Sequence, residues 1–91
     1  MNQNLSLYRI FYTVAQTGNI SRAAKELFIS QPAVTKSIQK LEQSMGTSLF
    51  TRSSRGVQLT EEGGLLFSHV KSAFQTLESA ENQIRLRREF G

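Results

Sequence analysis

Between residues 31 and 43 the chain reads QPAVTKSIQKLEQ, in which amide, ammonium and hydroxyl side chains are interleaved with apolar ones. Val34, Ile38, Leu41 and Met45 follow one another at steps of four, three and four, the period of a helix with one buried stripe. About 100° of turn per residue then directs Pro32, Lys36, Gln39, Lys40 and Gln43 outward and leaves Gln31 and Thr35 on the flank near the helix start. Those side chains have the chemistry of base reading: an amide pairs bidentately with adenine, a lysine reaches guanine acceptors, and Thr or Pro touches the thymine methyl. On an isolated helix the same residues would simply be solvated. What surrounds them decides between the two.

The elements that would present this helix lie on both sides of it. Upstream, Leu7, Ile10, Phe11, Val14 and Ala15 mark an amphipathic helix over residues 5–17, ended by Gly18. Ser21 is expected to cap a short second helix, in which Ala23, Ala24 and Leu27 make apolar contacts beside exposed Arg22, Lys25 and Glu26. Phe28, Ile29 and Ser30 leave a three-residue connection, and Ser30 with Pro32 in the first turn starts the third helix, which stops at Gly46. Downstream, LFTRSSRGVQL alternates apolar and polar residues around Ser53, Ser54, Arg55 and Gly56, which predicts a β-hairpin. Helix, tight turn, helix and hairpin are the parts that dock a recognition helix on duplex DNA.

Charge follows the same division. Of a net +4, residues 1–60 carry seven Lys or Arg against two Glu, and residues 61–91 carry four against five. The first part is therefore the candidate polyanion-binding region. Lys40 is suited to a phosphate, and Arg52 and Arg55 flank the hairpin turn beside Ser53, where guanidinium groups can meet phosphates or a narrow minor groove. Ser21 and Ser30, each near a helix start, can cap, contact a phosphate, or do both.

Thr60, followed by Glu61 and Glu62, is a capping signal, and no proline interrupts a final helix of about 28 residues, roughly 40 Å long. Leu66, Val70, Ala73, Leu77, Ala80 and Ile84 recur at steps of four and three with Phe67 and Phe74 beside them, the pattern of a coiled-coil seam. Folding back on its own domain would bury the same stripe. Pairing of two copies explains its length, enlarges a small core and supplies two reading heads for an inverted repeat.

Other chemistries find little support. Without Cys there is no disulfide or thiolate metal site, and no Asp is present. His69, the only histidine, has no titratable residue placed as its partner, and Glu61 and Glu62 fit the helix dipole better than acid–base work. No enzyme, metal or cofactor is expected. No apolar run approaches the roughly 20 residues of a membrane span, and the N-terminus lacks a signal-peptide pattern, so a cytoplasmic location is expected.

The chain resembles the LysR-type transcriptional regulators from Leu5 to about Ile84, most strongly in AAKELFISQPAVTKSIQKLE and GTSLFTRSSRGVQLTEEG. The resemblance implies a mostly α winged helix-turn-helix of three helices and a hairpin wing in residues 1–60, then a dimerising linker helix in residues 61–91. It implies DNA contacts from Gln31, Pro32, Thr35, Lys36, Gln39 and Arg52, positions that the residue pattern singles out independently. It also implies a homodimer, a tetramer at full length, and a larger C-terminal domain outside these residues through which alone a small-molecule effector would act. Residues 89–91 would then lie in the hinge or at a chain end. Two other readings remain: a protein-interaction module whose positive charge serves solubility, and a nonspecific architectural DNA binder, against which the amide side chains weigh.

Overall fold

The first helix, α1 (Leu5–Thr17), is held at both ends by local chemistry. The Asn4 side chain accepts the Ser6 backbone N–H at 2.7 Å, and Gly18, left-handed at φ 67°, donates its N–H to the Val14 carbonyl. In this computed structural model, which describes residues 4–90, there follow α2 (Ile20–Leu27), α3 (Gln31–Met45), β1 (Phe50–Ser53), β2 (Gly56–Leu59) and α4 (Glu61–Phe90). The order is that of a winged helix-turn-helix extended by one long helix. Gly91, in the expected hinge, lies outside the described residues.

The α1 stripe is narrower than the apolar period suggests. Phe11 and Val14 are buried together with Tyr8, while Leu7, Ile10 and Ala15 are half-buried. The second helix is capped by Asn19 and not by Ser21: the Asn19 side chain accepts the Arg22 N–H at 2.9 Å, and Ser21 sits inside the first turn. Both residue types cap well, but Asn19 is the one with extended backbone, so the helix starts two residues earlier than Ser21 would allow. At its other end Phe28 is left-handed and Ile29 donates its N–H back to the Ala24 carbonyl at 3.1 Å, a Schellman closure that reverses the chain within three residues.

Ser30 then caps α3 as expected, its hydroxyl accepting the Ala33 N–H at 3.2 Å with Pro32 in the first turn. Val34, Ile38 and Leu41 are buried, but Met45 is 39% exposed. Met45 lines an open trough with Leu49, Glu62, Leu65 and Leu66, and Leu49 from the next segment is the residue that is buried. Leu49 and the buried side chains of α1 and α3, with Ala23, Ala24, Val70 and Phe74, complete a single core cluster.

The hairpin pairs Phe50 with Leu59 through to Ser53 with Gly56, leaving Ser54 and Arg55 as the turn. Three hydrogen bonds fix it and the residue leading into it to the helices. The Val57 N–H donates to the Gly18 carbonyl at 3.1 Å, and one Glu42 carboxylate oxygen of α3 accepts the N–H groups of Leu49 at 2.7 Å and Phe50 at 3.3 Å. Thr60 caps α4 as expected, accepting the Gly63 N–H at 3.0 Å, while its own hydroxyl donates to the Ser48 carbonyl at 2.8 Å. Gly63 packs directly on the Leu49 carbonyl, where a β-carbon would overlap it. The 30 residues of α4 give about 45 Å of helix, and the molecule measures 51 × 26 × 22 Å.

Candidate nucleic-acid interface

Burial of Val34, Ile38 and Leu41 turns the opposite face of α3 to solvent. Gln31, Pro32, Lys36, Gln39, Lys40 and Gln43 are exposed, and Thr35 is half-buried. Residues four apart stand one above another on a helix, so Gln31, Thr35 and Gln39 form one ridge and Pro32, Lys36 and Lys40 the next. A row of amide and hydroxyl groups thus runs beside a row that is cationic over its last turns. At a rise of about 1.5 Å per residue, successive members of a ridge are roughly 6 Å apart along the axis.

The wing presents Arg52, Ser53 and Arg55, all exposed, with the Ser53 hydroxyl accepting the Arg55 N–H at 3.2 Å. Glu42 makes wing and α3 one unit, since its carboxylate holds the backbone entering β1. Sequence reasoning missed this role, as it missed Asn19 at the head of α2. Asn19 was visible as a capping residue beside Gly18; nothing near Glu42 distinguishes it from a solvated glutamate, because its acceptors' partners come from seven and eight residues on. Ser30 is exposed at the start of α3, whereas Ser21 is half-buried.

The expected α4 seam divides in two. Val70 and Phe74 are buried and Leu66 and Phe67 half-buried, packed on this chain's own core. Ala73, Leu77, Ala80 and Ile84 are exposed, Leu77 by 50% and Ile84 by 60%. Folding back and outward presentation therefore both occur, on successive lengths of one helix. An apolar trough between α1 and α4 is lined by Leu5, Tyr8, Leu66, Val70, Ala73 and Phe74, with His69 at its side.

Among the described residues no three His, Asp or Glu side chains are grouped to hold a metal, and no helix is long and apolar enough to cross a membrane.

Residues 5–64 match the model of the bacterial regulatory helix-turn-helix protein, lysR family. The chain is 43% identical over 77 residues to the HTH-type transcriptional regulator GltR of Bacillus subtilis (strain 168), an alignment covering 85% of this chain and 26% of that protein. It thus spans about a quarter of the length of such relatives. The fold superposes on the DNA-binding domain of BenM, solved as a catB site 1 DNA complex, with a TM-score of 0.85, 28% identity, and coverage of 98% of this chain and 99% of that one. A crystal structure of the CbnR DNA-binding domain with DNA gives a TM-score of 0.80 at 30% identity, covering 94% and 99%. On the strength of the family match over most of its length, the chain belongs to the lysR family of bacterial helix-turn-helix regulators.

Proposed function

We propose that this chain reads a specific sequence of double-stranded DNA as a homodimer, in the service of bacterial transcription regulation. The observation that carries the reading is the pair of adjacent ridges on the exposed face of α3, supported by a wing that the same helix holds through Glu42. In the major groove, Gln31, Pro32, Thr35, Lys36 and Gln39 face base edges. Lys40, Arg52, Ser53, Arg55 and the helix-start serines Ser21 and Ser30 hold phosphates or the minor groove. Base contacts supply choice and phosphate contacts supply affinity and register.

Residues 1–60 act as the reading head and residues 61–91 as the linker that pairs two heads. The seam from Leu66 to Ile84 serves both purposes: its first half roots the linker in the head, and Ala73, Leu77, Ala80 and Ile84 with the α1–α4 trough meet the partner. In the intact cytoplasmic regulator, effector binding and tetramer formation belong to regions outside these 91 residues.

Fluorescence anisotropy of the chain against duplexes carrying inverted repeats, at two salt concentrations with unrelated competitor, tests this. Preference of about a thousandfold for one repeat family is expected. Uniform, steeply salt-dependent binding would leave a nonspecific phosphate binder. Absence of binding would favour a protein-interaction module.

A further inference from the structure

Besides the core packing of Leu66 and Val70, two groups of specific contacts hold the root of α4. One is its first turn, where Thr60 bonds the Ser48 carbonyl and Gly63 lies against Leu49. The other is a group of rings further along. Tyr12 of α1 stacks on Phe67 with centroids 5.3 Å apart and planes at 14°, and meets Phe74 edge-on at 5.4 Å and 78°. The Arg9 guanidinium lies 3.9 Å from the Phe74 ring centroid, and Gln16 donates an amide N–H to the Tyr12 hydroxyl at 3.0 Å. Neighbouring α1 positions Phe11 and Val14 are in the core with Val34 and Ile38 of α3, so the rings tie the direction of α4 to the recognition helix.

We propose that the Tyr12, Phe67 and Phe74 clamp determines which separation between two half-sites the protein accepts, a specificity role resting on the dimeric DNA reading above. Without the rings, the first turn and the aliphatic packing of Leu66 and Val70, which carries no angular preference, would let the head swing about the start of α4; the rings fix its angle. Stacked and edge-on rings have preferred geometries, whereas an aliphatic side chain fills similar space without an angular preference. The lever is long enough to matter. With short dimensions of 26 and 22 Å, a pivot of about 10° acting over roughly 20 Å moves a recognition helix by about 3.5 Å, one base-pair step.

The test measures binding of wild type, Tyr12→Phe, Tyr12→Leu and Phe67→Leu to inverted repeats whose half-site separation changes one base pair at a time, with a single half-site duplex in parallel. Wild type and Tyr12→Phe are expected to favour one separation by about tenfold or more, and the two leucine variants to fall within about threefold across neighbouring separations at unchanged half-site affinity. A purely structural role would lower all affinities together. Either leucine variant keeping the wild-type spacing profile while retaining a cooperative melt overturns the clamp, and Phe67→Leu decides should Tyr12→Leu fail to fold. A wild-type chain that prefers no repeat at all overturns the underlying reading and the clamp with it, an outcome distinct from a preserved profile.

Discussion

The reading head and the distal half of α4 share one kind of apolar periodicity and have opposite fates. Phe11, Val14, Val34 and Leu41 recur at helical steps and are fully buried. Leu77, Ala80 and Ile84 recur the same way, yet from Gln75 to Phe90 every residue is exposed. Periodicity records that a stripe must be covered; it does not record by what. In the head the cover is another element of the same chain. Beyond Phe74 no described residue covers it, and the proposed dimer assigns that cover to a second copy, so stability and assembly should respond to different substitutions.

The sharpest separation comes from the core. Phe11→Ala removes a fully buried ring that contacts Phe50 at 5.3 Å between centroids, and is expected to cost about 3–5 kcal/mol of head stability, read from thermal or urea melts. Gly63→Ala comes next. Alanine is the better helix former, but its β-carbon would overlap the Leu49 carbonyl, so overpacking should prevail with a loss of about 1–3 kcal/mol. A more stable Gly63→Ala protein would show that the junction yields.

Smaller effects distinguish the caps. Ser30→Ala and Asn19→Ala should each cost about 1 kcal/mol, because each side chain satisfies an N–H at a helix start. Ser21→Ala, without a cap to lose, should stay within about 0.5 kcal/mol. Smallest of all on head stability is Leu77→Glu, expected within about 0.5 kcal/mol when measured dilute enough for monomers. Its effect belongs to assembly: sedimentation should report loss of the dimer, and a two-site duplex should bind no better than a single half-site. Equal melting losses for Leu77→Glu and Phe11→Ala would abolish the distinction between the two regions.

Much of this was readable from residue types. Gly18 and Gly46 end their helices, Ser30 with Pro32 starts α3, the turn falls on Ser54 and Arg55, and Thr60 opens α4. Each is a local decision made within a few residues. The errors are where distant parts decide. Ser21 and Asn19 are equivalent cappers in isolation, and the extended backbone arriving from Gly18 selects Asn19. Met45 continues a sound helical period but is left on an open trough beside α4, and Leu49 occupies the core instead. Val70 and Phe74 follow the seam spacing but also enter this chain's own core, where Tyr12 of α1 meets Phe74, a contact that spacing along α4 does not record. The outward face of α3 was legible because the buried face alone defines it; the Glu42 bond to the wing was not, because it joins residues seven and eight apart through backbone groups.

The central claim is that the amide ridge of α3 chooses sequence while the cationic residues supply grip, and Gln31→Ala tests it most directly. Anisotropy titrations of wild type and Gln31→Ala, on the preferred repeat, on singly substituted versions of it and on random duplex, should show a loss of about 1–3 kcal/mol confined to one or two base pairs. Random-duplex affinity and the salt slope should be unchanged. Equal losses on preferred and random DNA would contradict the assignment and make Gln31 part of the grip.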